Sequence, residues 1–187
     1  MTGQALRTMA GPGTPPGDEQ PGTQAQAFRD AMALLAAPLT VVTVLDEAGR
    51  RRGFTASSVT SVSLDPPLVL VGVGLSSSCH AVLTGAREFV VNVLGEEHRD
   101  VARRFATHGI DRFAQGGFAA WDGTGTPFLP RATVLLRCRT ADVVRAGDHD
   151  LVLGTVLETR TGDPAGAPLL WYRRAFHTPV AAPPAPA

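Results

Sequence analysis

Residues 53–73 read GFTASSVTSVSLDPPLVLVGV. The segment from Thr55 to Ser63 carries six hydroxyl side chains in nine residues: Thr55, Ser57, Ser58, Thr60, Ser61 and Ser63. Asp65-Pro66-Pro67 then forces a turn, because each proline fixes φ and lacks a backbone donor. Residues 68–73 form a continuous apolar run of strand length, the pattern of a strand buried on both faces. A hydroxyl inside a core is costly unless it is hydrogen-bonded, and two readings are open. In one, the segment is a Ser/Thr-rich edge strand whose hydroxyls bond to nearby backbone. In the other, the hydroxyls form a rim that meets a bound polar heterocycle.

Upstream, residues 39–45 (LTVVTVL) are β-branched and read as a strand. Asp46-Glu47-Ala48-Gly49 reads as a turn, and residues 51–59 as the returning strand. Before that hairpin, residues 24–37 read as a helix. Phe28, Met32 and Leu35 make one apolar stripe at i, i+4 and i+7, and Pro38 stops it.

Downstream, Ser76-Ser77-Ser78 opens a short helix over residues 80–84. A hydroxyl cluster there is either a plain N-cap or part of a phosphate site at a positive helix end. Arg87 follows, as a solvated charge or as the cation that neutralises that phosphate. Residues 89–94 read as a strand and residues 96–107 as a helix, with Val101 and Phe105 on its apolar face. Residues 109–125 form a loop longer than structureless loops usually run. Residues 133–144 and 151–159 read as strands around a turn at 145–150, and residues 169–172 as a last strand. Short strands at regular spacing with three helices argue for a barrel or sandwich.

Composition bounds the chemistry. The chain has 187 residues, 44% hydrophobic and 18% charged, with no net charge. That suits one domain with a sizeable core, and gives no reason to expect nucleic acid or an anionic membrane as partner. All 17 basic residues are arginine, so lysine nucleophiles and Schiff bases are excluded. Cys79 and Cys138 lie far apart, with no His or Cys at zinc-ligand spacing; both read as buried free thiols and no metal is expected. The N-terminus lacks the apolar core of a secretory leader. No apolar run nears the ~20 residues needed to span a bilayer, so a cytoplasmic protein is expected. The Gly/Pro-rich residues 1–24 and the Pro/Ala-rich residues 180–187 read as disordered tails around a domain at 25–179.

Several of these stretches, in this order, resemble the short-chain flavin reductase family. They are D-A-M…P-x-x-V-V-T-V, G-F-T-A-S-S-x-x-S-V-S-x-D-P-P-L, F-x-V-N-V-L, the weaker D-R-F at Asp111-Arg112-Phe113, and Gly147-Asp148-His149. The family comprises NAD(P)H:flavin oxidoreductases that supply reduced flavin to two-component monooxygenases. The resemblance spans about residues 28–177 and implies a mainly β fold. That fold is the FMN-binding split β-barrel, a Greek-key antiparallel barrel with flanking helices. It also implies a homodimer that uses FMN or FAD with NADH, NADPH remaining possible, beside a separate flavin-dependent monooxygenase.

The resemblance further assigns residues. Thr55, Ala56, Ser57 and Ser58 meet the flavin ring and ribityl chain, Ser61 and Val62 wall the same site, and Thr40 closes it from the neighbouring strand. Ser76, Ser78 and Arg87 take the phosphate. Gly147, Asp148 and His149 position the nicotinamide cofactor, with His149 as the catalytic residue. Two departures from the family pattern stand out: Cys79, where Thr or Ser is usual, and Trp171, where a smaller residue is usual. Hydride transfer needs the two rings held about 3–3.5 Å apart rather than a catalytic triad. The absence of a G-x-G-x-x-G turn excludes a Rossmann site. The alternative function is a flavin-binding barrel that keeps its flavin as a carrier and does not turn over NADH.

Overall fold

The computed structural model describes residues 21–162 and 166–179. In chain order the elements are α1 (Pro21–Met32), β1 (Ala37–Pro38), β2 (Thr40–Leu45), β3 (Arg51–Ala56), β4 (Val59–Leu64), β5 (Pro67–Gly74), α2 (His80–Gly85) and β6 (Glu88–Val93). They continue with a 3-10 turn (Glu96–His98), α3 (Arg99–Ala106), β7 (Ala119–Ala120), β8 (Pro127–Phe128), β9 (Val134–Ala146), β10 (His149–Thr161), β11 (Leu170–Tyr172) and β12 (Ala175–His177).

Seven strands form one antiparallel sheet in the order β3-β2-β6-β9-β10-β5-β4. Its two edge strands, β3 and β4, are consecutive in the chain and joined only by Ser57 and Ser58. A link that short spans about 10 Å at most. The sheet must therefore curl until its edges meet, and the result is a barrel split along one seam. The hydroxyl-rich segment of the sequence runs along that seam.

Alternation along the strands builds two cores. One face of the barrel strands gathers Val42, Val44, Val71, Phe89, Val91, Cys138 and Val152 into the interior. The opposite faces of β2 and β6 meet α3 and the segment after it through Val41, Val90, Phe105, Phe113 and Trp121, with Leu169 before β11 joining the same cluster. This explains why β2 is buried on both faces. On the face of β6 that carries Val90, Asn92 is fully buried. Its Nδ2 donates to Val41 O at 2.7 Å and its Oδ1 accepts Leu129 N–H at 2.7 Å, which fastens β8 to the barrel.

Several boundaries differ from the sequence expectation. The first helix runs from Pro21 to Met32 rather than over 24–37, and Phe28, Met32 and Leu35 are exposed. The strand expected over 51–59 is two strands broken at Ser57–Ser58. The turn expected over 145–150 holds two residues, Gly147 and Asp148, because Ala146 and His149 already pair. Gly147 at φ +62° supplies the left-handed first position of such a hairpin turn. The expected long loop folds back on the core, where Phe113 and Phe118 pack on Phe105 at ring distances of 5.0 and 5.1 Å. The last strand is a pair, β11 and β12, and β1 joins it in a small three-stranded sheet. Of the expected disordered tails, 1–24 and 180–187, residues 1–20 and 180–187 lie outside the described residues, whereas residues 21–24 form the first turn of α1 rather than a tail. Among the described residues no helix is long and apolar enough to cross a membrane.

Candidate functional site

At the seam the sheet opens into a cleft of about 280 Å³. Thr55, Ser57 and Ser58 form one wall, Gly72 and Gly74 the floor, and Ser77, Arg112 and His149 the far side. The wall is held from behind: Thr55 Oγ1 donates to Ala102 O at 2.7 Å, tying β3 to α3. The Ser57 and Ser58 hydroxyls have no hydrogen-bond partner among the described residues and face solvent. The floor is tight at Gly72 and has ordinary van der Waals room at Gly74. A Cβ on Gly72 would lie 3.0 Å from Ser58 Cβ, and one on Gly74 would lie 3.6 Å from the His149 ring.

His149 opens β10 directly opposite Gly74 of β5. The Asp148 carboxylate, 2.8 Å from His149 Nδ1, fixes the ring. That bond holds the Asp148 carboxyl below its usual range, and His149 Nε2 lies beside Gly74 with no hydrogen-bond partner among the described residues. The next residue points the other way. Asp150 is buried, accepts Arg145 Nε at 2.6 Å and His80 Nε2 at 2.7 Å, and so anchors the hairpin to the start of α2. Those two bonds, Arg145 first, lower its pKa.

The cation of the cleft is Arg112. It donates from Nη1 to Gly53 O at 2.7 Å and from Nε to Thr107 O at 3.0 Å. Its Nη2 donates to nothing among the described residues. Sequence reasoning noted Arg112 only as part of a weak motif, because its link to β3 and Cys79 spans sequence separations of 59 and 33 residues. His108 also lines the cleft.

The structure gathers only some of the expected site. Thr55, Ala56, Ser57, Ser58 and His149 line the cleft, and Gly147 and Asp148 form the turn that presents His149. Thr40 is buried and donates to Ala56 O at 2.9 Å, so it ties β2 to β3 instead of facing the cleft. Ser61 and Val62 lie exposed on edge strand β4, outside the cleft lining, where a bulge follows Ser61. In the serine cluster it is Ser77 that reaches the cleft. Ser76 is exposed outside that lining, and Ser78 faces an adjoining groove. The cluster does not cap α2 through a side chain; Cys79 is the N-cap residue. Arg87 is exposed beyond the far end of α2 and does not line the cleft. Trp171 packs on Phe176 at 5.4 Å in a neighbouring cavity.

This donor set fits a flavin. Hydroxyls and backbone N–H groups at the break between β3 and β4 suit a ring with carbonyl and imide edges, glycines leave room for its plane, and a guanidinium with a free nitrogen suits a phosphate. Among the described residues no three His, Cys, Asp or Glu side chains group as a metal site.

Comparison with known proteins points the same way. A relative from Streptomyces pristinaespiralis, NADH:riboflavin 5'-phosphate oxidoreductase, is 70% identical over 166 residues, 89% of this chain and 94% of its own length. The NADH:FAD oxidoreductase of Streptomyces globisporus, solved with NAD and FAD fragments, has a TM-score of 0.79 and 34% identity over 89% of this chain and 98% of that one. The styrene monooxygenase flavin reductase of Pseudomonas putida gives a TM-score of 0.74 at 32% identity, covering 83% of this chain and 98% of that one. The flavin reductase like domain matches residues 32–179, from the end of α1 through β12. With the seam, its hydroxyls and His149 all inside that match, this chain belongs to the flavin reductase like family.

Proposed function

We propose that this chain is an NADH:flavin oxidoreductase that reduces FMN or FAD and passes the reduced flavin to a separate monooxygenase. It works in the cytoplasm as a homodimer, through the domain at residues 25–179. The reading rests on one observation: His149, fixed by Asp148, stands across a glycine floor from the unpaired hydroxyls of the seam.

The flavin, when bound, supplies the hydride-accepting chemistry. The chain binds and orients. Ser57, Ser58 and the backbone from Ala56 to Ser58 address the polar edge of the ring. Ser77 and Arg112 hold the phosphate, a role in which Arg112 replaces the expected Arg87. His149, braced at Nδ1 by Asp148, turns Nε2 toward the nicotinamide carboxamide. Gly72 and Gly74 keep the plane between these walls open.

The test is NADH oxidation under air, with and without added FMN or FAD. Rapid oxidation that depends on added flavin supports the proposal, and the faster flavin is the preferred one. A protein that binds flavin yet leaves NADH untouched is a carrier, and the proposal fails.

A further inference from the structure

His149 and Ser77 sit on separate segments of the chain, yet a line of hydrogen bonds joins them behind the cleft. Ser77 is fastened to the start of α2: its carbonyl accepts His80 N–H at 3.0 Å and its hydroxyl accepts Cys79 N–H at 3.2 Å. His80 Nε2 lies 2.7 Å from Asp150 Oδ2. Asp150 directly follows His149, and its other oxygen accepts Arg145 Nε at 2.6 Å, from the residue paired with it across the hairpin. A backbone bond from Leu75 N–H to Asp148 O, at 3.0 Å, ties the same two segments once more. The Asp150 side chain is only 8% exposed, and a buried carboxylate that loses its partners is costly. Gly147, Asp148 and His149 are themselves exposed, so little packing fixes where the turn points.

Strand alternation sends Asp150 to the face opposite His149, and neither Asp150 nor His80 lines the cleft. They act on a bound ligand only through the residues beside them. We propose that Asp150 is a positioning residue: with His80 and Arg145 it sets the spacing between the His149 wall, which meets the nicotinamide, and the Ser77 wall, which meets the flavin phosphate. The inference rests on the flavin reductase reading and adds to it a brace outside the cleft. Hydride transfer is sensitive to such spacing, since a misplacement of about 1 Å can cost on the order of 100-fold in rate. The hairpin keeps its Leu75 bond when the brace is cut, so the expected loss is smaller.

The test measures NADH kcat and KM at saturating FMN, and FMN affinity by flavin fluorescence, well below each variant's melting temperature. Asp150→Ala lowers NADH kcat/KM about tenfold, while FMN affinity stays near the parent value because Ser77 keeps its own bonds to α2. Asp150→Asn, which retains one acceptor oxygen, restores part of the loss. His80→Gln loses less than Asp150→Ala, and the double variant loses no more than Asp150→Ala alone, because both side chains act through one carboxylate. An unchanged kcat/KM in Asp150→Ala, losses that multiply in the double variant, or FMN affinity falling as far as kcat/KM would overturn the proposal. Should Asp150→Ala fail to fold, His80→Gln decides: a lower kcat/KM supports the brace and a parental value overturns it. Failure of the underlying reading looks different: the unmodified protein would not oxidise NADH with FMN.

Discussion

Gly154→Ala tests the packing of the barrel interior. Gly154 lies on β10, and a Cβ there would sit 2.6 Å from Phe89 Cζ and 2.9 Å from Cys138 Cβ. Ordinary carbon contacts need about 3.5–4.0 Å, so the Phe89 ring would have to retreat by roughly 1 Å. It has little room, being fully buried among the interior valines. The Cys138 Cβ is fixed to the backbone of β9 and moves only if the strand does. Overpacking of this kind costs about 1–3 kcal/mol, and alanine returns about 0.4–1 kcal/mol by restricting the unfolded chain. The net loss is about 1–2 kcal/mol, a fall of roughly 2–8 °C in Tm for a chain of this size. Circular dichroism melts read the shift directly. Phe89→Leu removes the clashing ring atoms, so the double variant loses about 1 kcal/mol less than the two single losses added together. A Gly154→Ala protein that melts at or above the parent temperature, or losses that simply add, would refute this account of the interior.

Three other outcomes follow from the site. His149→Ala raises the NADH KM or lowers kcat while leaving flavin binding intact, as steady-state kinetics and a flavin titration will show; kinetic silence removes His149 from the mechanism. Arg112→Ala weakens FMN more than riboflavin, which lacks the phosphate, whereas Arg87→Ala changes neither; equal losses in a titration return the phosphate to another cation. Asp150 has a folded pKa below its usual value, with Arg145 and then His80 as causes. Its contribution to stability is therefore present above the unfolded pKa of about 3.9 and is lost as pH falls through the lower folded value. Asp150→Asn should flatten that part of an acid denaturation curve, and an unchanged curve would rule Asp150 out as a source of acid sensitivity.

Most of the long strands were legible as segments because local signals agree. The β-branched residues of β2, the Asp-Pro-Pro turn and the apolar run of β5 each state one conformation, and the interior core confirms them. The site divided along a line that residue types do not reveal. Thr55, Ser57 and Ser58 belong to the cleft, while Thr60, Ser61 and Ser63 belong to edge strand β4, where Thr60 Oγ1 bonds to the carbonyl of Ser61. The segment therefore splits in place: Ser57 and Ser58 line the cleft, while of the β4 hydroxyls Thr60 alone bonds to nearby backbone among the described residues, and the chain break at Ser57–Ser58 separates the halves. Choosing among Ser76, Ser77 and Ser78 required the exact rotation of a turn. Arg112 was hidden because its position is set by hydrogen bonds to Gly53 and Thr107, which no spacing rule encodes.

The seam also bears on colloidal behaviour. An open sheet edge is a row of unpaired backbone groups, and any other extended chain can add to it and start aggregation. Here the two edges are β3 and β4, bent toward each other by a two-residue link. On the β3 side, Phe54 to Ala56 line the cleft, whereas β4 adds nothing to that lining and keeps Val62 and Leu64 exposed. The short link is what holds those two edges close, so an insertion that lengthened Ser57–Ser58 would free the β4 edge to recruit other strands and disturb the cleft at the same time.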